Sequence, residues 1–117
     1  MSVYTLYHNP RCSKSRQTLQ LLEERGIAPE IVLYLENSPD AETLRGLLSK
    51  LGISARQLLR KGEAEYKERG LADESLSEAA LIQAMVDAPK LIERPIVVRG
   101  DRAVLGRPPE NALELID

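Results

Sequence analysis

The run Val3-Tyr4-Thr5-Leu6-Tyr7 is β-branched and aromatic, and it breaks at His8-Asn9-Pro10, where proline removes a backbone donor and favours a turn. The pattern predicts a strand running into a loop. From Ser13 to Arg25 the period changes: Thr18, Leu19 and Leu22 fall on one side of a helix, and Gly26 stands where a helix end tolerates positive φ. Cys12 is thereby placed at a helix N-terminus. After Pro29, Glu30-Ile31-Val32-Leu33-Tyr34 is short and apolar enough for a buried strand. The opening third therefore reads strand, helix, strand, a right-handed unit if the strands are parallel.

The middle of the chain is helical throughout. Ser38-Pro39 has the form of an N-cap and first-turn proline before Leu44, Leu47, Leu48 and Leu51, which Gly52 closes. Ser54 can cap a short helix holding Leu58 and Leu59, and Glu63 to Arg69 forms a charged segment before Gly70. Ser75-Leu76-Ser77-Glu78 resembles a capping box ahead of Leu81, Ile82, Met85 and Val86, with Pro89 as the stop. Strand character returns at Pro95-Ile96-Val97-Val98 and Ala103-Val104-Leu105 around a Gly100-Asp101 turn, predicting a hairpin. Pro108-Pro109 opens a last helix through Leu113 and Ile116. With no repeat or linker, residues 1–117 are expected to form one α/β domain with a helical insertion at about 39–88.

Composition narrows the chemistry. The 117 residues carry 16 Lys plus Arg against 18 Asp plus Glu, a net charge of −2, and aromatics are only 3%. That balance excludes a non-specific nucleic-acid binder, which needs a basic stripe and stacking rings. No apolar stretch reaches the roughly 18 residues that cross a bilayer, and the N-terminus lacks a basic segment and a long apolar run, so neither membrane insertion nor classical export is expected. A single cysteine and a single histidine, Cys12 and His8, exclude an internal disulfide and a Cys/His structural zinc site. No metal is expected, and the compartment is read as reducing cytoplasm.

Cys12 is the first candidate for chemistry. Helix N–H groups and the positive end of the helix dipole favour its thiolate, and Arg11, Lys14 and Arg16 add local positive charge. A thiol at the free pKa of about 8.5 is only ~3% ionised at pH 7, so a drop of two units changes its reactivity. Cys12-Ser13-Lys14-Ser15 is C-x-x-S, a pattern that cannot close its own disulfide, and in this reading Ser15 donates to the sulfur or to a bound oxyanion. A phosphatase loop, C-x5-R, does not fit because position 18 is Thr18. Arginines at breaks in the pattern, Arg60, Arg94 and Arg107, are candidates for a tetrahedral oxyanion, although eleven arginines place some at turns as solvated surface. His8 serves equally well as a proton carrier or as a neutral ring satisfying a turn.

Five blocks lie in one register: His8-Asn9-Pro10-Arg11-Cys12-Ser13-Lys14-Ser15-Arg16, Val32 to Glu36, Leu58-Leu59-Arg60-Lys61, Glu93 to Val98, and Gly106-Arg107-Pro108. Together they resemble the glutaredoxin-dependent arsenate reductase (ArsC) family. The resemblance implies a thioredoxin-like mixed sheet with a helical insertion. It implies Cys12 as catalytic thiol, Arg60, Arg94 and Arg107 as oxyanion ligands, Pro95 as the structural cis-proline, and His8, Ser15 and Arg16 as residues tuning the thiol. Arsenate would be the substrate, glutathione the co-substrate and glutaredoxin the partner, with no bound cofactor. Ser13-Lys14 departs from the Gly-Thr more usual in the family and adds a charge beside the thiol. Two other readings stand beside this one. The first is a non-catalytic redox-sensing regulator of the same fold, which usually carries C-x-x-C; the second is a glutathione-dependent reductase of another substrate.

Overall fold

The computed structural model describes residues 3–116. The chain divides into two compact units, one comprising the residues up to Asn37 and from Arg94 onward, the other Ser38–Glu93.

The first unit is built on four strands, β1 (Tyr4–Tyr7), β2 (Glu30–Val32), β3 (Ile96–Arg99) and β4 (Arg102–Leu105), in the order β2-β1-β3-β4. β1 runs parallel to β2, whereas β1 with β3 and β3 with β4 are antiparallel. The crossover from β1 to β2 contains helix α1 (Ser13–Glu24). Gly100 takes φ +61 at the first position of the two-residue turn between β3 and β4, a conformation that costs glycine little. Tyr4, Leu6, Leu22, Val97, Ala112 and Leu115 form the buried core, with Leu19 and Ile27 packed against it.

Two expectations for this unit are corrected. The Glu30–Tyr34 run is not a buried strand: β2 ends at Val32 and lies at the sheet edge, with Ile31 40% exposed. The chain turns away there because the Leu33 carbonyl accepts the N–H groups of both Glu36 and Asn37. The last helix is a 3-10 helix, Pro109–Leu115, which buries Pro109, Ala112 and Leu115. Those residues are three apart, the period of a 3-10 helix.

The second unit is helical: α2 (Ala41–Leu51), α3 (Ala55–Leu58), α4 (Ala64–Glu68) and α5 (Glu78–Asp87), followed by a 3-10 turn over Pro89–Leu91. Leu44, Leu47 and Leu48 are buried on α2, Leu58 on α3, and Leu81, Ile82 and Met85 on α5. The caps refine the sequence reading. Asp40, not Ser38, caps α2 by accepting the Thr43 N–H, while the Ser38 hydroxyl donates to the Val86 carbonyl. Ser77, not Ser75, caps α5. Ser54 and Gln57 form a reciprocal capping box on α3, and Gly52 ends α2 at φ +70.

Candidate active site

The loop from His8 to Cys12 is a tightly bonded turn between β1 and α1. The His8 N–H donates to the Val32 carbonyl, the Cys12 N–H donates to the Asn9 carbonyl at 3.0 Å, and the Arg11 N–H donates to Asn9 Oδ1. Asn9 therefore shapes the turn from both its backbone and its side chain. In the sequence it was marked only by the Asn-Pro pair and by its place in the first block of the resemblance.

Ser15, which is fully buried, lies beneath this loop. Its hydroxyl accepts the Asn9 N–H at 3.0 Å and stands 2.6 Å from His8 Nδ1. Burial first, and then the nearby Arg16 charge, hold His8 below its ordinary pKa, so the ring is neutral at pH 7. A neutral ring accepting at Nδ1 gives the Ser15 proton a partner. The Ser15 side chain thus serves the loop, and its backbone N–H faces the sulfur. Arg16 is also turned to the loop: its guanidinium donates to the Pro10 carbonyl at 2.9 Å. The expectation that the Ser15 hydroxyl acts directly on the thiol is corrected.

Cys12 is the N-cap of α1, is partly buried, and makes no conventional side-chain cap hydrogen bond. Burial alone pushes its thiol pKa up. The Ser15 N–H, the Arg94 guanidinium through both a hydrogen bond and its charge, and the Lys14 N–H outweigh that and hold the thiol below its ordinary value. The local charge on the sulfur comes from Arg94, and the side chains of Arg11, Lys14 and Arg16 are not among the causes. Lys14 acts through its backbone.

Arg107 joins Arg94, its guanidinium donating to the Arg94 carbonyl at 3.3 Å. Both arginines precede cis peptide bonds, Arg94–Pro95 and Arg107–Pro108; sequence pointed to Pro95 and not to Pro108. Gly106 fastens this corner. Its N–H donates to the Pro95 carbonyl, and its carbonyl accepts from Thr18 on α1 at 3.3 Å. A Cβ at Gly106 would stand 2.7 Å from Thr18 Oγ1 and 2.8 Å from Pro95 Cγ, so only glycine fits. The sequence marked Thr18 only as a helix-face residue and Gly106 only within a block of the resemblance, because nothing local signals a contact made across most of the chain. Arg60 lies in the second unit, where its guanidinium pairs with Glu93 at 3.2 Å and Glu63 at 3.5 Å. Among the described residues no group of three His, Cys, Asp or Glu could hold a metal ion, and no helix is long and apolar enough to cross a membrane.

A sheet whose first pair is parallel and whose later pairs are antiparallel, carrying a cysteine at the end of its first crossover loop, is a thioredoxin-like arrangement. The chain belongs to the ArsC family, whose profile matches residues 7–115. It is 51% identical over 107 residues to an arsenate reductase of Neisseria meningitidis, covering 91% of this chain and 92% of the other. To the protein YfgD of Escherichia coli K12 it is 65% identical over 112 residues, 95% of this chain and 94% of the other. A solved arsenate reductase from Vibrio cholerae superposes with a TM-score of 0.95 at 53% identity, covering 97% of each chain.

Proposed function

We propose that the chain is an arsenate reductase with Cys12 as its one catalytic thiol, glutathione as co-substrate and glutaredoxin as the protein that regenerates it. The observation that supports this most is the Arg94 guanidinium on the Cys12 sulfur. One cation there favours the thiolate and also offsets the repulsion between that thiolate and an approaching oxyanion. The named activity of the relatives points to arsenate as that oxyanion.

In this reading the Cys12 thiolate attacks As(V), forming an S–As bond and expelling hydroxide, which leaves as water after protonation. A glutathione thiolate then attacks Cys12 Sγ. The S–S bond forms, the S–As bond breaks, and arsenic keeps the electron pair as arsenite, so two thiols lose the two electrons that arsenic gains. A glutaredoxin thiolate next attacks the glutathione sulfur and frees Cys12. Arg94 and Arg107 hold the oxyanion, with Arg60 added on the family resemblance. His8, Ser15 and Arg16 act as positioning residues that keep the loop, and so the sulfur, in place; Pro95 holds the Arg94 corner. The helical unit is read as an insertion in one domain, and the reaction as belonging to a reducing cytoplasm.

The test is arsenate-dependent NADPH oxidation in the presence of glutathione, glutaredoxin and glutathione reductase. Wild type is expected to turn over and, without glutaredoxin, to accumulate a glutathione adduct on Cys12 visible by intact mass. Cys12→Ser should lose both. Arsenate reduction that persists in Cys12→Ser would overturn the mechanism.

A further inference from the structure

A groove of about 270 Å³ runs along the loop that carries Cys12, lined by His8, Asn9, Pro10 and Arg11 and by Leu33, Leu35 and Glu36 from the turn after β2. Every lining residue belongs to the first unit. Leu35 is 37% exposed and Leu33 partly so, giving the groove an apolar stretch open to solvent. Arg11 and Glu36 are exposed, and neither side chain has an ion-pair or hydrogen-bond partner among the described residues. The catalytic loop uses only the backbone N–H of Arg11, and the low thiol pKa does not use its charge.

One cation and one anion on the rim of a small apolar groove suit a zwitterion. A bare oxyanion is a poor match, because Glu36 repels it and the leucines offer it no partners. A peptide carrying carboxylates, an ammonium and aliphatic carbons matches all three features, with its carboxylate on the Arg11 fork and its ammonium on Glu36. Arg11 directly precedes Cys12 in the chain, about 3.8 Å between Cα atoms, so the groove borders the loop that holds the thiol. An extended tripeptide spans about 10 Å, and the proposal requires a thiol at its middle to approach Sγ with a charged end in the groove.

We propose that this groove binds the zwitterionic peptide thiol that enters after the oxyanion, with Arg11 and Glu36 as its specificity-determining residues. The proposal rests on the reductase reading above and assigns the place where its co-substrate sits. S-methylglutathione, which cannot form a disulfide, is the probe, titrated into the intact protein by calorimetry and by backbone NMR shifts. Saturable binding is expected, with shifts at residues 8–11 and 33–36. Arg11→Glu and Glu36→Lys should each weaken it ten-fold or more while thermal unfolding shows both variants folded. Removing the ligand's amino group should weaken binding to wild type and add nothing in Glu36→Gln. In turnover, both charge reversals should raise KM for glutathione more than KM for the uncharged thiol 2-mercaptoethanol.

Absence of saturation in wild type, or unchanged affinity in both charge reversals, overturns the assignment. Shifts at these residues with a glutaredoxin but none with S-methylglutathione would also overturn it and give the surface to a protein partner. Binding as expected by a protein that reduces no arsenate with any thiol would sink the reductase reading and leave the groove assigned.

Discussion

Arg94 acts on the Cys12 sulfur, whereas Arg16 is spent on the Pro10 carbonyl and Arg11 is exposed. The three cations near Cys12 in sequence are therefore not equivalent to the one near it in space. Removing the Arg94 charge leaves burial, which raises the thiol pKa, opposed only by the Ser15 and Lys14 N–H groups. Arg94→Gln should accordingly move the thiol midpoint up and reduce the thiolate present at pH 7. Arg11→Ala and Arg16→Ala should move it less. Thiolate absorbance near 240 nm followed against pH measures all three, and a midpoint in Arg94→Gln no higher than in Arg11→Ala would contradict the assignment. For wild type the midpoint should fall below the free value of about 8.5.

At the scale of elements, propensity and capping chemistry located the helices, and tertiary packing chose among competing caps. Ser75 and Ser77 both precede Glu78, yet Ser77 accepts the Ala80 N–H while Ser75 donates to Asp73 Oδ1 in the preceding turn. Starting the helix at Glu78 leaves Leu81, Ile82 and Met85 on the buried face. At α2, Asp40 caps while Pro39 and Leu44 occupy the N′ and N4 positions and are both buried, the arrangement of a hydrophobic staple. The distinction has a measurable consequence. Ser77→Ala should cost about 1 kcal/mol of unfolding free energy in urea, as loss of an N-cap does, and Ser75→Ala appreciably less. Equal costs would mean that the two serines share the cap.

For the whole molecule, the matched family profile runs from residue 7 to residue 115 and so includes both compact units, with Arg60 in one and Cys12, Arg94 and Arg107 in the other. On the proposed mechanism, Cys12→Ser blocks the chemistry and leaves arsenate as a simple ligand of the native state. At ten times its Kd it should raise the global unfolding free energy by about 1.4 kcal/mol, since binding only to the native state contributes RT ln(1 + [L]/Kd). Adding Arg94→Gln to that variant should remove most of the effect at the same arsenate concentration. A shift that survives loss of Arg94 and is matched by chloride at equal ionic strength would show general salt stabilisation and no oxyanion site.

Sequence by itself determined what depends on neighbours a few residues away. The β1 strand, the helix beginning after Cys12, the Gly52 helix end and the Gly100 turn each follow from side-chain period, a capping group or a tolerated positive φ, all of which act within about four residues. The five blocks of family resemblance also lay open in the sequence, and with them the thioredoxin-like order of elements. Tertiary structure alone decided that Arg94 reaches the Cys12 sulfur, that the Ser15 hydroxyl turns to His8, and that Gly106 must be glycine because Thr18 and Pro95 crowd it. It also decided that β2 is an exposed edge, a property of strand order that an apolar run cannot express. These features arise where segments distant in sequence are brought into contact, and the geometry of that contact is set by sheet register and packing of the whole first unit, which no local pattern contains.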